Sequence, residues 1–135
     1  MRDQAPLLLY DGVCALCNSV VRFVLRRDGQ GVVRFAPLHG DTGRELLSRH
    51  PELTAVDSMI WIDSDGAISI RSDAAIAIGR RLGGVWALLA TLARMVPRPW
   101  RDGVYDLVAR VRYRVFGRYD ACPLPPAGHR DRFLN

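Results

Sequence analysis

Cys14 and Cys17 stand two residues apart within Pro6–Leu25, PLLLYDGVCALCNSVVRFVL, where an apolar run meets turn residues and then an amphipathic segment. Cysteines on neighbouring helical positions can close a two-residue disulfide loop and reopen it, which is what thiol–disulfide exchange requires. Leu7, Leu8, Leu9 and Tyr10 read as a short buried strand and Asp11-Gly12 as a turn. Leu16, Val20, Phe23 and Val24 recur at helical spacing while Asn18, Arg22 and Arg26 keep to another face. Cys14 is thereby expected at or just before the first helical turn, where unpaired backbone N–H groups and the positive end of the helix dipole favour a thiolate. Cys17 falls one turn deeper. Cys14 is therefore expected to be the exposed, attacking thiol and Cys17 the sheltered, resolving one. Asp11 could relay a proton to or from Cys17, although an aspartate before glycine in such a turn more often serves local hydrogen bonds. A carboxylate so placed could also oppose thiolate formation at Cys14.

The same pair could be half of a zinc site. A structural site wants four ligands, and the remaining supply is Cys122, His39, His50 and His129, with no second close-spaced pair. Redox chemistry without a metal or other cofactor is the stronger expectation. Cys122 sits in the proline-rich run Cys122-Pro123-Leu124-Pro125-Pro126 and reads as a structural or incidental thiol; the alternative is a third redox cysteine on a tail folded back over the site.

The elements that must position the pair follow in order. Asp28-Gly29-Gln30-Gly31 breaks the first helix and Val32–Ala36 resumes as a strand, a βαβ unit that sets the two strands parallel. Asp41-Thr42 can cap a short helix through His50 before Pro51. Met59–Ile62 and Ala67–Ile70 flank Asp63-Ser64-Asp65-Gly66 and predict an antiparallel hairpin. Ser72 is a candidate N-cap for a helix ending at Gly83-Gly84. Val85–Val96, VWALLATLARMV, is apolar nearly all round and is expected to be a buried helix. In a last helix from Trp100 to Phe116, Trp100, Val104, Leu107, Val108, Val111 and Val115 fall at core spacing, with Arg110, Arg112 and Arg114 outside that stripe. The tail, Arg118–Asn135, can be neither regular helix nor central strand.

A chain of 135 residues suits one domain, here divided into a core (1–83), carboxy-terminal helices (84–117) and a tail (118–135), and its 49% apolar share excludes wholesale disorder. No stretch reaches the ~18 apolar residues of a membrane span, and MRDQAP lacks the apolar centre of a secretory signal, so a soluble cytoplasmic protein is expected. The net charge of +5 comes from arginine alone, since lysine is absent. With no aromatic-interleaved basic strand beside it, the charge reads as a solvated face rather than a nucleic-acid site, and contact with a membrane surface is expected to be weak at most.

The order strand, helix, strand, helix, hairpin, helix is that of the thioredoxin fold, an α/β architecture with a four-stranded mixed sheet, flanking helices and, here, extra carboxy-terminal helices. Asp11-Gly12-Val13-Cys14-Ala15-Leu16-Cys17 resembles the D-x-x-C-x-x-C signature of the DCC family of predicted thiol–disulfide oxidoreductases. The resemblance extends to Tyr10-Asp11-Gly12, Arg34–Leu38, Asp57-Ser58-Met59 and Arg132-Phe133-Leu134. Catalysis is expected from Cys14 and Cys17 with Asp11 beside them, and substrate contact at Tyr10, Gly12, Asp57 and Ser58, while the resemblance implies no particular substrate. Thioredoxins place a cis-proline where Asp57-Ser58 stand here, and Ala15-Leu16 between the cysteines has neither the proline nor the histidine that other members of the fold carry. The partners implied are a protein or small-molecule disulfide or dithiol and an external thiol reductant. The alternative from another class is a redox-sensing or adaptor module whose cysteine oxidation changes what the carboxy-terminal helices bind.

Overall fold

Leu7–Tyr10 is apolar on both of its faces, and this run, β1, forms inside the sheet rather than at its edge. The structure, a computed structural model, describes residues 5–12, 14–28, 32–38, 40–53, 59–117 and 133. After β1 come α1 (Ala15–Arg27), β2 (Arg34–Pro37), α2 (Asp41–Arg49), a single 3₁₀ turn at Pro51–Leu53, and the hairpin strands β3 (Ile60–Ile62) and β4 (Ile68–Ile70). Three helices close the described chain: α3 (Arg71–Leu82), α4 (Gly84–Ala93) and α5 (Arg98–Val115). The sheet runs β2-β1-β3-β4, with β1 parallel to β2, antiparallel to β3, and β3 antiparallel to β4. This is the thioredoxin-like mixed sheet that the sequence predicts, hairpin included.

Alternation along the strands divides the core in two. Leu8, Tyr10, Phe35 and Trp61 face α1 and α3, meeting Val21, Val24, Ala74 and Ile78. Leu9, Ala36 and Ile60 face the other way, against Leu38, Leu53 and the partly buried Leu46 and Leu47 of α2. Phe133 returns to the β2 edge, bridging Phe35 in parallel and stacking on its ring at 5.1 Å.

Several expectations are corrected. The core side of α1 is Cys17, Asn18, Val21, Val24 and Leu25, whereas Leu16, Val20 and Phe23 are only partly buried. Phe23 instead sits edge-on to the half-buried Trp86 at 4.8 Å. Ser72 is not the N-cap of α3, which begins directly from β4 at Ile70; its hydroxyl donates to the Asp102 carboxylate of α5. Neither Asp41 nor Thr42 caps α2, whose N-cap is Gly40.

The largest correction concerns the last two helices. Of α4 only Ala90 is buried, set against Gly79 of α3, while Val85, Leu88, Leu89 and Leu92 are exposed. On α5 the stripe at core spacing points outward: Trp100, Val104, Leu107 and Val115 are among the most exposed large apolar side chains. The opposite, polar side faces the body. Arg101 donates to Asp73 at 3.1 Å, Asp102 accepts from Ser72, and Asp106 lies 3.7 Å from Arg71. Ion pairing with α3 has decided which side of α5 turns in.

The approach of α2 to the sheet depends on Gly43, the one buried residue of that helix. A Cβ there would collide with the Leu38 carbonyl oxygen and lie 2.6 Å from that of Pro37, both backbone atoms that cannot swing aside. Gly43→Ala is expected to destabilise the protein by about 1–3 kcal/mol despite the better helix propensity of alanine. Urea unfolding checks this, and an unchanged midpoint would show that α2 is free to shift.

Candidate active site

The chain leaves β1 through Asp11 and Gly12 and enters α1 at Cys14, and hydrogen bonds hold Asp11, Gly12 and Cys14 in place. The Asp11 carbonyl accepts the Cys14 N–H at 3.2 Å. Cys14 is the N-cap, extended at φ −82° and ψ 121°, and its Sγ accepts the Cys17 N–H at 3.4 Å. A sulfur thus occupies the place that a serine or aspartate oxygen takes in ordinary helix caps, with an otherwise unsatisfied amide pointed at it. Asn18 completes the turn: its Nδ2 donates to the Gly12 carbonyl at 2.8 Å and to the Cys14 carbonyl at 3.0 Å.

Both sulfurs are reduced and buried, Cys14 at 0% exposure and Cys17 at 3%. The expected contrast between an exposed Cys14 and a sheltered Cys17 is therefore absent. The Gly117 carbonyl, just past the end of α5, accepts the Ala15 N–H at 3.3 Å, so the chain after α5 meets the head of α1 next to Cys14. One turn earlier on α5, Arg112 lies 3.4 Å from the Asp11 carboxylate, both side chains almost wholly buried.

These surroundings act unequally on the pair. Burial pushes the Cys17 thiol up to about 12, helped by the negative charge of the Cys14 sulfur and by the hydrogen bond that the Cys17 thiol gives it. A backbone hydrogen bond from Asp11 and the positive charge of Arg112 pull the other way and lose. Cys17 accordingly keeps its proton throughout the neutral range.

Among the other residues singled out in the sequence, Tyr10 is 2% exposed within the core cluster, and Gly12 is buried with its carbonyl engaged by Asn18. Both lie inside the fold in this conformation. Asp57 and Ser58 lie outside the described residues, as do His39, Cys122 and His129. His50 ends α2 beside Glu52, 3.6 Å away. No group of three metal-ligating side chains occurs among the described residues. Two site residues were missed in the sequence. Asn18 stands one helical turn after Cys14, a spacing that could have disclosed it. Arg112 had no local signal.

Sheet order and cysteine placement together define a thioredoxin-like protein with a CxxC pair at the junction of its first strand and first helix. The chain belongs to the DCC1-like thiol-disulfide oxidoreductase family, whose model matches residues 8–118. It is 42% identical over 135 residues to the uncharacterized protein YuxK of Bacillus subtilis (strain 168), across 98% of this chain and 97% of the relative. It is also 35% identical over 123 residues to a chloroplastic DCC family protein of Arabidopsis thaliana, across 90% of this chain and 71% of that protein. No solved structure matches significantly.

Two predictions test the site. An isolated buried charge is far costlier than a paired one, so Arg112→Met is expected to destabilise by about 3–5 kcal/mol, with much of that recovered in Asp11→Asn/Arg112→Met. Additive losses in the double variant would show that the two do not act as a pair. The second concerns pH. Cys17 binds its proton more tightly folded than unfolded, so its contribution is complete below the ordinary thiol value of 9.0 and is lost as pH rises toward about 12. Urea midpoints of the wild type should fall across that alkaline window more steeply than those of Cys17→Ala. Parallel curves would refute the raised value.

Proposed function

We propose that this protein is a thiol–disulfide oxidoreductase in which Cys14 attacks and Cys17 resolves. The observation that supports the division of labour is that the Cys14 sulfur accepts the Cys17 amide at 3.4 Å, while burial first and Cys14 second hold the Cys17 proton up to about 12. In the first step the Cys14 thiolate forms a bond to one sulfur of a protein or small-molecule disulfide and the other sulfur leaves as a thiolate. Cys17 then attacks the Cys14 sulfur, its proton passing to the departing substrate thiolate. The substrate gains two electrons and becomes two thiols; the Cys14–Cys17 pair loses them and becomes a disulfide. An external thiol, as a reducing cytoplasm supplies, resets the pair.

Asp11 is a positioning residue in this reading. Its carbonyl holds the Cys14 amide, its backbone supports Cys17, and its carboxylate anchors Arg112. Cys14 is wholly buried, so attack on a substrate requires the site to open. That burial favours a second reading, a redox-sensing module that is oxidised slowly and changes its contacts without turnover.

Insulin-disulfide reduction with dithiothreitol as reductant separates the two. The oxidoreductase reading expects turnover above the no-protein rate, abolished by Cys14→Ser. Cys17→Ser should lose turnover yet accumulate a Cys14 mixed disulfide that dithiothreitol releases. Wild-type protein that undergoes oxidation but never exceeds the control rate would leave the sensor reading in possession of the site.

A further inference from the structure

We propose that the outward faces of α4 and α5, with the arginine-lined cavity at the turn between them, form a docking surface for the anionic phospholipids of a bilayer. The surface is separate from the cysteine pair and does not depend on the redox reading.

Three observations carry it. First, the helices are apolar where they should be polar. Leu92, Met95, Trp100 and Val104 pass through the α4–α5 turn without cover, Met95 at 80% exposure and Trp100 at 73%. Large apolar side chains left uncovered side by side mark an interaction surface. No helix among the described residues is long and apolar enough to cross a membrane, so burial in lipid would be interfacial.

Second, the polar groups beside that face are of one sign. From Gly84 to Gly117 the acidic residues are Asp102 and Asp106, and both turn inward, to Ser72 and Arg71. Arg94, Arg110 and Arg114 are exposed and make no ion pair among the described residues. Arginines in this position can lay their stems along apolar surface and present the guanidinium to lipid phosphates.

Third, an open cavity of about 540 Å³ beneath the turn is lined by Arg80, Arg94, Arg98 and Arg101 against only Asp63 and Asp73. Asp73 is already shared between Arg98, at 3.3 Å, and Arg101, at 3.1 Å. The cavity therefore has an excess of guanidinium donors with the geometry to fork onto a phosphate, at the border of the apolar face where a headgroup would stand. A second copy of this chain is the rival occupant, and the charges disfavour it: two such faces would bring an excess of arginines together, with Asp73 already engaged by Arg98 and Arg101.

Flotation of the full chain with phosphatidylcholine–phosphatidylglycerol vesicles tests the proposal. The protein should float with these vesicles, much less with pure phosphatidylcholine, and progressively less as salt is raised. Trp100 should move to shorter emission wavelength on binding, a shift that Trp100→Phe removes. Arg94→Gln should bind about fivefold more weakly and Leu92→Glu/Val104→Glu more than about tenfold, circular dichroism confirming that these surface variants remain folded. Binding that is absent, or equal on neutral and anionic vesicles, overturns the proposal. So does a solution dimer dissolved by Val104→Glu in a protein that does not float, which would assign the face to a second copy.

Discussion

Asp11 and Arg112, separated by 101 residues, meet at 3.4 Å with side chains 6% and 5% exposed. Charges so far from water are tolerated only together. Their contact ties the first strand to the last helix and fixes the rotation of α5 about its axis. Residues at helical repeats from Arg112 then turn inward with it, and these are polar: Arg101 and Asp102 find Asp73 and Ser72 on α3. The apolar side of α5 has nowhere left to face but outward. A helix amphipathic in the ordinary way is thus mounted with its charged side to the protein, and the exposed face of the molecule follows from the buried pair.

The same contact reaches the cysteines. Desolvation and the neighbouring sulfur dominate at Cys17, and Arg112 supplies one of the few opposing influences, delivered from an element that a minimal thioredoxin-like sheet does not need. Asp11 serves two structures at once. Its main chain belongs to the turn that holds the sulfurs, and its carboxylate belongs to α5, so a displacement of the helix is felt in the turn.

The parts of this architecture legible in the sequence are those governed by near neighbours. The unbroken apolar run Leu7–Tyr10, the turn at Asp63–Gly66 and the two-residue spacing of Cys14 and Cys17 are enough for the mixed sheet and for the place of the sulfurs at the head of α1, because strand register and helix capping act over a few residues. Periodicity fails where it must. It shows that α5 has an apolar side and a charged side but not which one the protein covers, and the usual assumption that the apolar side goes in is reversed here by ion pairs with α3 and β1's end. The hydrogen bond from the Ala15 amide to the Gly117 carbonyl was illegible for the same reason, since no local pattern links residues so far apart. Asn18 was misplaced with Arg22 and Arg26 because polarity was taken as a sign of solvent, whereas its amide is spent inside on two carbonyls of the turn.

A protein whose first element is finished by its last has a particular life during synthesis. Cys14 and Cys17 leave the ribosome about a hundred residues ahead of Arg112, an interval of roughly 5–20 s at ordinary elongation rates. Throughout it Asp11 lacks its buried counter-ion and the Ala15 amide lacks the Gly117 carbonyl. The nascent pair is then an open dithiol, available to oxidants, metals and chaperones. The folded protein shelters it.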